Sequence, residues 1–175
     1  CIGEKQVFVL DHIADKLMAE MANAGALKLN GGQIERLTKS AFTFDEAKAG
    51  GCARAHVHKD FVGKDPSVLA QAAGVNVPAG TELLFGETDL MHPYVQEEQM
   101  MPFLPIVRVK SIAEGIQFSK QSEHEYRHTS IIHSHNVDHM TAMARAMDTT
   151  LFIKNGSSMC GLGLGGEGYL SYSIA

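Results

Sequence analysis

The feature that most constrains this chain is an alternation: short runs rich in β-branched and aromatic residues give way, repeatedly, to stretches whose apolar residues recur at helical spacing. Residues 6 to 10 read as a buried strand, and Asp11 then caps a helix in which Ile13, Leu17, Met18 and Met21 recur before Gly25. Residues 26 to 30 read as a second short strand, Gly31-Gly32 as a turn, and residues 33 to 42 as a helix with Ile34 and Leu37 on one side. The stretch 43 to 64, which holds Gly50-Gly51, Cys52, His56 and His58, has no sustained period and reads as loop with some helix. Pro66 opens a helix that Gly74 stops, residues 82 to 85 form a strand, and a polar segment runs to Gln99. Beyond it the alternation is cleaner: strand at 103 to 109, helix at 111 to 121, strand at 128 to 133, helix at 136 to 147, strand at 151 to 154. A last strand-like run, 169 to 174, follows the glycine-rich stretch that begins at Gly161.

Strands separated by helical crossovers of about a dozen residues cannot pair as hairpins and instead give right-handed βαβ units. The expected fold class is therefore α/β, with a mostly parallel sheet covered by helices. With no internal repeat or low-complexity linker, 175 residues are expected to form one domain. A chain of that length buries roughly 70% of its unfolded surface.

Composition excludes several classes. At 45% hydrophobic and 20% charged, the chain is neither fibrous nor disordered. No run approaches the roughly 18 apolar residues that a membrane-spanning helix needs. The 15 Lys and Arg are outnumbered by 20 Asp and Glu and are scattered rather than striped, so no nucleic-acid footprint is present. Three cysteines, at 1, 52 and 160, are too few and odd in number for a disulfide framework and point to a reducing compartment.

Four motifs bear on chemistry. Gly161-Leu162-Gly163-Leu164-Gly165-Gly166 matches G-x-G-x-x-G formally, but a dinucleotide fingerprint needs a following helix, a second strand and an acidic residue about 20 positions on. The nine residues after Gly166 leave no room, so the glycines read as a loop passing close to something. His56-x-His58 and His133-x-His135 offer metal-ligand spacing, and on a strand His133 and His135 would share a face. No H-E-x-x-H or Cys-x2-Cys accompanies them, so no metal is expected. Glu97-Glu98 precedes Met100-Met101-Pro102, where a pair of loop carboxylates is ordinarily solvated. Cys1 is the anomaly, because a chain starting at cysteine rather than methionine suggests processing or excision. It is open to three readings: an N-terminal nucleophile whose own amine is the base, a thiolate presented at a domain junction, or an arbitrary cut.

Residues along the whole chain carry a resemblance. Cys1-Ile2-Gly3-Glu4-Lys5-Gln6-Val7-Phe8-Val9, Phe61-Val62-Gly63-Lys64-Asp65, Val77-Pro78-Ala79-Gly80-Thr81, Met100-Met101-Pro102, His128-Thr129, His133-Ser134 and Lys154-Asn155-Gly156, followed by the glycine run, resemble CoA-acylating aldehyde dehydrogenases. The likeness is strongest to the propionaldehyde and acetaldehyde dehydrogenases of bacterial microcompartments. It implies a three-layer α/β catalytic domain over residues 1–175, with an N-terminal NAD-binding domain and a C-terminal oligomerisation segment absent, and a fragment inactive alone.

The implied reaction takes a short aliphatic aldehyde, CoA and NAD+ to acyl-CoA and NADH. Cys1 is the implied nucleophile and forms a thioester, its deprotonation helped by helix amino termini or polar neighbours. Its backbone N–H is the implied oxyanion donor here, the side-chain donor lying in the absent domain. Glu98 is implied to contact the nicotinamide ribose, and His128 to position substrate or CoA and transfer a proton. Gly163, Gly165 and Gly166 are implied to line the substrate or CoA loop. Implied partners are the absent NAD-binding domain, further copies of the enzyme, and microcompartment shell or cargo proteins, in the cytoplasm or inside such a compartment. An N-terminal-cysteine amide hydrolase and a non-catalytic interaction module are the competing expectations.

Overall fold

The computed structural model describes residues 3–45 and 54–163, which fall into two compact units, one of the described residues from 5 to 108 and one of residues 3–4 with 109–163. The expected α/β class is observed. In the first unit a four-stranded sheet has the order β1 (Val7–Leu10), β6 (Phe103–Val109), β5 (Leu84–Glu87), β2 (Leu27–Lys28). Parallel pairs join β2 to β5 and β5 to β6. Successive strand residues point to opposite faces. Leu84 and Phe103 therefore pack in one cluster with Leu29, Ile34 and Leu69, while Phe85, Leu104 and Ile106 join Val9, Ala14 and Met18 in another. Helices α2 (Gly31–Ala41) and α3 (Pro66–Ala73) supply the first layer and α1 (Asp11–Asn23) the second, which makes three layers.

β6 is central yet contains Pro105, which has no N–H for the ladder. Its register partner is Gly86. A Cβ on Gly86 would stand 2.5 Å from Ile34 Cδ1 and 3.0 Å from the Leu29 carbonyl oxygen, so α2 approaches the sheet only over a glycine.

Three local expectations are corrected. Asp11 does not cap α1: Leu10 holds the cap position, and the Asp11 carboxylate accepts from Arg108 Nη1 at 3.1 Å. Arg108 also binds Glu87 at 2.8 Å and the Asp15 carboxylate, so charge pairing takes the side chain that capping would have used. Gly31-Gly32 is not a turn but the first step of α2, because Asn30 Oδ1 accepts from the Gln33 N–H at 3.0 Å and Gln33 Oε1 from the Asn30 N–H at 2.8 Å. That reciprocal box offsets the poor helix propensity of glycine. The stretch read as loop with some helix holds an antiparallel pair, β3 (Phe42–Phe44) and β4 (Ala55–Val57), and a 3-10 turn, Lys59–Phe61. Strands of three residues are too short to show a period. Within it His56 Nε2 pairs with Asp45 at 2.9 Å, and Cys52 lies outside the described residues.

The second unit is built on β7 (Thr129–Ile132) and β8 (Leu151–Lys154), which pair in parallel. Helices α5 (Ile112–Glu123) and α6 (Val137–Met147) cover them, with Ile116, Met143 and Met147 packing in one cluster with Ile132 and Phe152 of the strands. Ser111 caps α5 by accepting from the Glu114 N–H, and Asn136 caps α6 by accepting from the Asp138 and His139 N–H groups. β7 ends at Ile132, so His133 and His135 lie in the following loop, both exposed, and not on one strand face. The strand-like run at 169 to 174 lies outside the described residues.

Candidate active site

His128 is held in an unusual piece of backbone. Helix α5 ends on His124 in the left-handed region, and Glu125 and Arg127 adopt it too, with φ of 67° and 52°. Such values are uncommon for residues with a Cβ and need support from their surroundings. The support is visible. The Arg127 carbonyl accepts from the Thr150 N–H at 2.9 Å and from its hydroxyl at 3.2 Å, and the Arg127 guanidinium pairs with Asp148 at 3.1 Å. The His128 carbonyl then accepts from the Leu151 N–H at 3.0 Å, and its N–H donates to Glu123 Oε1 at 3.3 Å. His128 is buried to 8% exposure at the amino end of β7, its Nδ1 hydrogen-bonded with the Thr129 hydroxyl. Thr129 is a contributor the sequence reading missed, although the His-Thr pair was visible in it.

Glu98 is exposed, in the loop between α4 (Pro93–Gln96) and β6, and its carboxylate meets no described hydrogen-bonding group. The loop is fixed by its neighbour Gln99, a side chain only 2% exposed that donates to the Phe103 carbonyl at 2.9 Å and accepts from the Met101 N–H at 3.1 Å. Met100 turns the chain with φ of 48°, and its carbonyl accepts from the Gly63 N–H at 3.0 Å. The Glu98 carboxylate thus stands exposed on a loop pinned at three points.

Gly163 closes a 3-10 turn, Ser158–Leu162, with φ of 80°, a conformation that favours glycine. The turn lies against β8: a Cβ on Gly161 would stand 3.1 Å from Ile153 Cδ1 and 3.4 Å from Leu151 Cδ1. Cys1, Gly165 and Gly166 lie outside the described residues. His128 and Gly163 belong to one unit and Glu98 to the other. In that other unit a cavity of about 650 Å³ opens between Gly31, Ile34, Phe44, Thr88 and His92, and none of the expected site residues lines it. Burial lowers the basicity of His92 there, against a smaller opposing effect of Asp89. Among the described residues no group of three His, Cys, Asp or Glu could hold a metal ion.

No protein-family model matches the chain. Acetaldehyde dehydrogenase (acetylating) EutE of Salmonella typhimurium is 42% identical over 174 residues, which cover 99% of this chain and 36% of that protein. Propanal dehydrogenase (CoA-propanoylating) of Citrobacter freundii is 39% identical over 176 residues, 100% of this chain and 36% of that one. Three solved structures are similar in fold. Propionaldehyde dehydrogenase of Rhodopseudomonas palustris, with bound CoA and an acylated cysteine, matches with a TM-score of 0.86 at 36% identity, covering 99% of this chain and 38% of its own. The enzyme of the Clostridium phytofermentans fucose utilisation microcompartment gives 0.87 at 37% identity, covering 100% and 38%. An engineered glycolyl-CoA reductase with bound NADP+ gives 0.87 at 36% identity, also covering 100% and 38%. The chain thus spans about a third of the length of the curated relatives it matches. Along its entire length, this chain is similar to one segment of the CoA-acylating aldehyde dehydrogenases.

Proposed function

We propose that residues 1–175 are the nucleophile-bearing domain of a CoA-acylating aldehyde dehydrogenase, which converts acetaldehyde or propionaldehyde, CoA and NAD+ to acyl-CoA and NADH. The observation that carries this is the 42% identity over 174 residues to an acetylating enzyme, with no stretch of the chain left to a different relative. That continuity does not favour an amide hydrolase or a non-catalytic module. The acylated cysteine of a structural neighbour supports a covalent thioester route. The nicotinamide-binding domain and the oligomerisation segment that the resemblance implies would lie in the remaining length of such an enzyme.

In this route the Cys1 sulfur forms a bond to the aldehyde carbon while the carbonyl π pair moves to oxygen, where the Cys1 backbone N–H receives the charge. A nicotinamide cofactor would supply the hydride acceptor needed to take that adduct to the thioester oxidation level. Glu98 fits the ribose of such a cofactor, because its carboxylate is exposed on a pinned loop and can accept from a hydroxyl. The thiol of CoA then attacks the Cys1 thioester, acyl transfer restores the Cys1 sulfur, and His128 takes the proton of the incoming thiol. An imidazole suits that task because its unperturbed pKa lies near neutrality. The loop of Gly163, Gly165 and Gly166 lines the path of aldehyde or CoA. The enzyme works as a homo-oligomer, in the cytoplasm or inside a bacterial microcompartment among shell and cargo proteins; the microcompartment neighbour supports the location, while the oligomer and the partners rest on the family resemblance. No helix among the described residues is long and apolar enough to cross a membrane.

The test is NADH formation by the full-length enzyme from propionaldehyde and NAD+, with and without CoA. Sustained turnover is expected only with CoA present, and Cys1→Ala is expected to abolish it. Retained activity in Cys1→Ala would refute the proposal.

A further inference from the structure

The segment that leads from Cys1 into β1 is tied to a point 154 residues away. Glu4 accepts from the Ser158 backbone N–H through Oε1 at 2.9 Å and from the Ser158 hydroxyl through Oε2 at 3.0 Å. Both bonds are charge-assisted, and together they fix the orientation of the carboxylate as well as its distance. Ser158 itself is 2% exposed and opens the 3-10 turn that ends at Gly163. That turn lies close on β8: a Cβ on Gly161 would already crowd Leu151 and Ile153. A Cβ on Gly3, by contrast, would meet no described atom within 4 Å, so Gly3 leaves the anchoring of this segment to Glu4.

We propose that Glu4 is a positioning residue: by gripping Ser158 with both carboxylate oxygens it anchors the chain three residues after Cys1 to the turn that ends at Gly163, and so restricts where the thiol can meet the aldehyde. The inference rests on Cys1 being the nucleophile. Three Cα steps of about 3.8 Å place Cys1 within about 11 Å of chain from Glu4. Loosening Glu4 therefore widens the range of positions open to the sulfur, a slack bounded by that short tether. Attack on a carbonyl is sensitive to such slack, since a displacement of about 1 Å can cost about 10²-fold in rate.

The experiment compares Cys1→Ala, Glu4→Ala, Glu4→Gln and Ser158→Ala in the full-length enzyme, measuring kcat and KM for propionaldehyde and the rate at which iodoacetamide alkylates Cys1. Glu4→Ala is expected to lower kcat by about 10²-fold. The KM for aldehyde and the alkylation rate are expected to stay within about twofold, because a small diffusing reagent does not need the thiol aimed at a bound carbonyl. Glu4→Gln keeps an acceptor for the Ser158 N–H and a donor for its hydroxyl, and is expected to recover most of the loss. Ser158→Ala, which deletes one of the two bonds, is expected to fall between. If Glu4→Ala does not fold, the ordering of Glu4→Gln above Ser158→Ala carries the test. A kcat for Glu4→Ala within about twofold of the parent, or a Glu4→Gln no better than Glu4→Ala, overturns the positioning role while leaving Cys1 as nucleophile. Activity surviving in Cys1→Ala overturns both.

Discussion

Removing the Tyr94 hydroxyl is expected to make the protein more stable. Tyr94 is 0% exposed, its ring set edge-on to Phe42 at 4.8 Å, tilted on Phe103 at 4.5 Å and stacked on His92 at 5.6 Å. Its hydroxyl meets no hydrogen-bonding group among the described residues. A buried hydroxyl without a partner costs about 1–3 kcal/mol in desolvation. Tyr94→Phe relieves that cost and keeps the ring contacts, at the expense of a void the size of one oxygen, about 0.3 kcal/mol at the usual cavity rate. The net expectation is a gain of about 1 kcal/mol, or about 2–4 °C in Tm for a domain of this size.

The assay is urea denaturation of parent and variant at neutral pH, where a higher midpoint with unchanged slope reports stability alone. Burial also pushes the phenol far above its ordinary value of 10.0. The native state therefore holds the phenolic proton where the unfolded chain releases it, so stability falls as pH rises above the unfolded value. The parent is expected to show that alkaline loss, and Tyr94→Phe to show less of it. A variant destabilised by about 0.5–1.5 kcal/mol would mean that the hydroxyl has a good partner and would refute the reasoning.

His92 gives a prediction at the other end of the pH scale. Burial depresses its folded pKa below 6.5, and its Nδ1 accepts from the Tyr94 N–H at 3.3 Å to cap α4. The unfolded chain binds the proton more readily, so this stability is present above pH 6.5 and is lost as pH falls through the folded value. His92→Gln should flatten the acid limb of the denaturation midpoint against pH; an unchanged limb would contradict the assignment. For Gly86→Ala, whose Cβ would stand 2.5 Å from Ile34 Cδ1, a loss of about 1–3 kcal/mol is expected from overpacking. Ile34→Val removes that contact atom, so the double variant should lose less than the two single losses added together.

The elements legible in the sequence were those with enough length to show a period or a sharp stop. β6 and β8 came out with their observed bounds, and α3 was bracketed by Pro66 and by Gly74, which does adopt a left-handed φ of 74°. What escaped depended on partners far along the chain. Nothing near Asp11 announces Arg108, and nothing near Glu4 announces Ser158. Asn30 and Gln33 form a local signal, but two glycines between them masked it. The candidate residues followed the same division. The left-handed φ of Gly163 leaves a mark on residue type, whereas Glu98 and His128 stood out only through the family resemblance, because a lone polar residue beside a strand carries no period.

There is a physical reason why these positions carry so little local signal. Cys1 precedes β1 in the sequence, Glu98 lies in the loop entering β6, and His128 stands directly before β7. Open α/β sheets ordinarily gather ligands at the carboxyl ends of strands, where helices begin and their N–H groups favour anions. In the second unit α6 begins beyond the loop that follows β7, so its amino terminus stands at the opposite end of that strand from His128. The influence of a helix terminus falls off within about one turn. His128 therefore draws little from α6, and a residue so placed is not announced by a glycine-rich turn opening a helix, the local pattern by which anion sites are usually recognised.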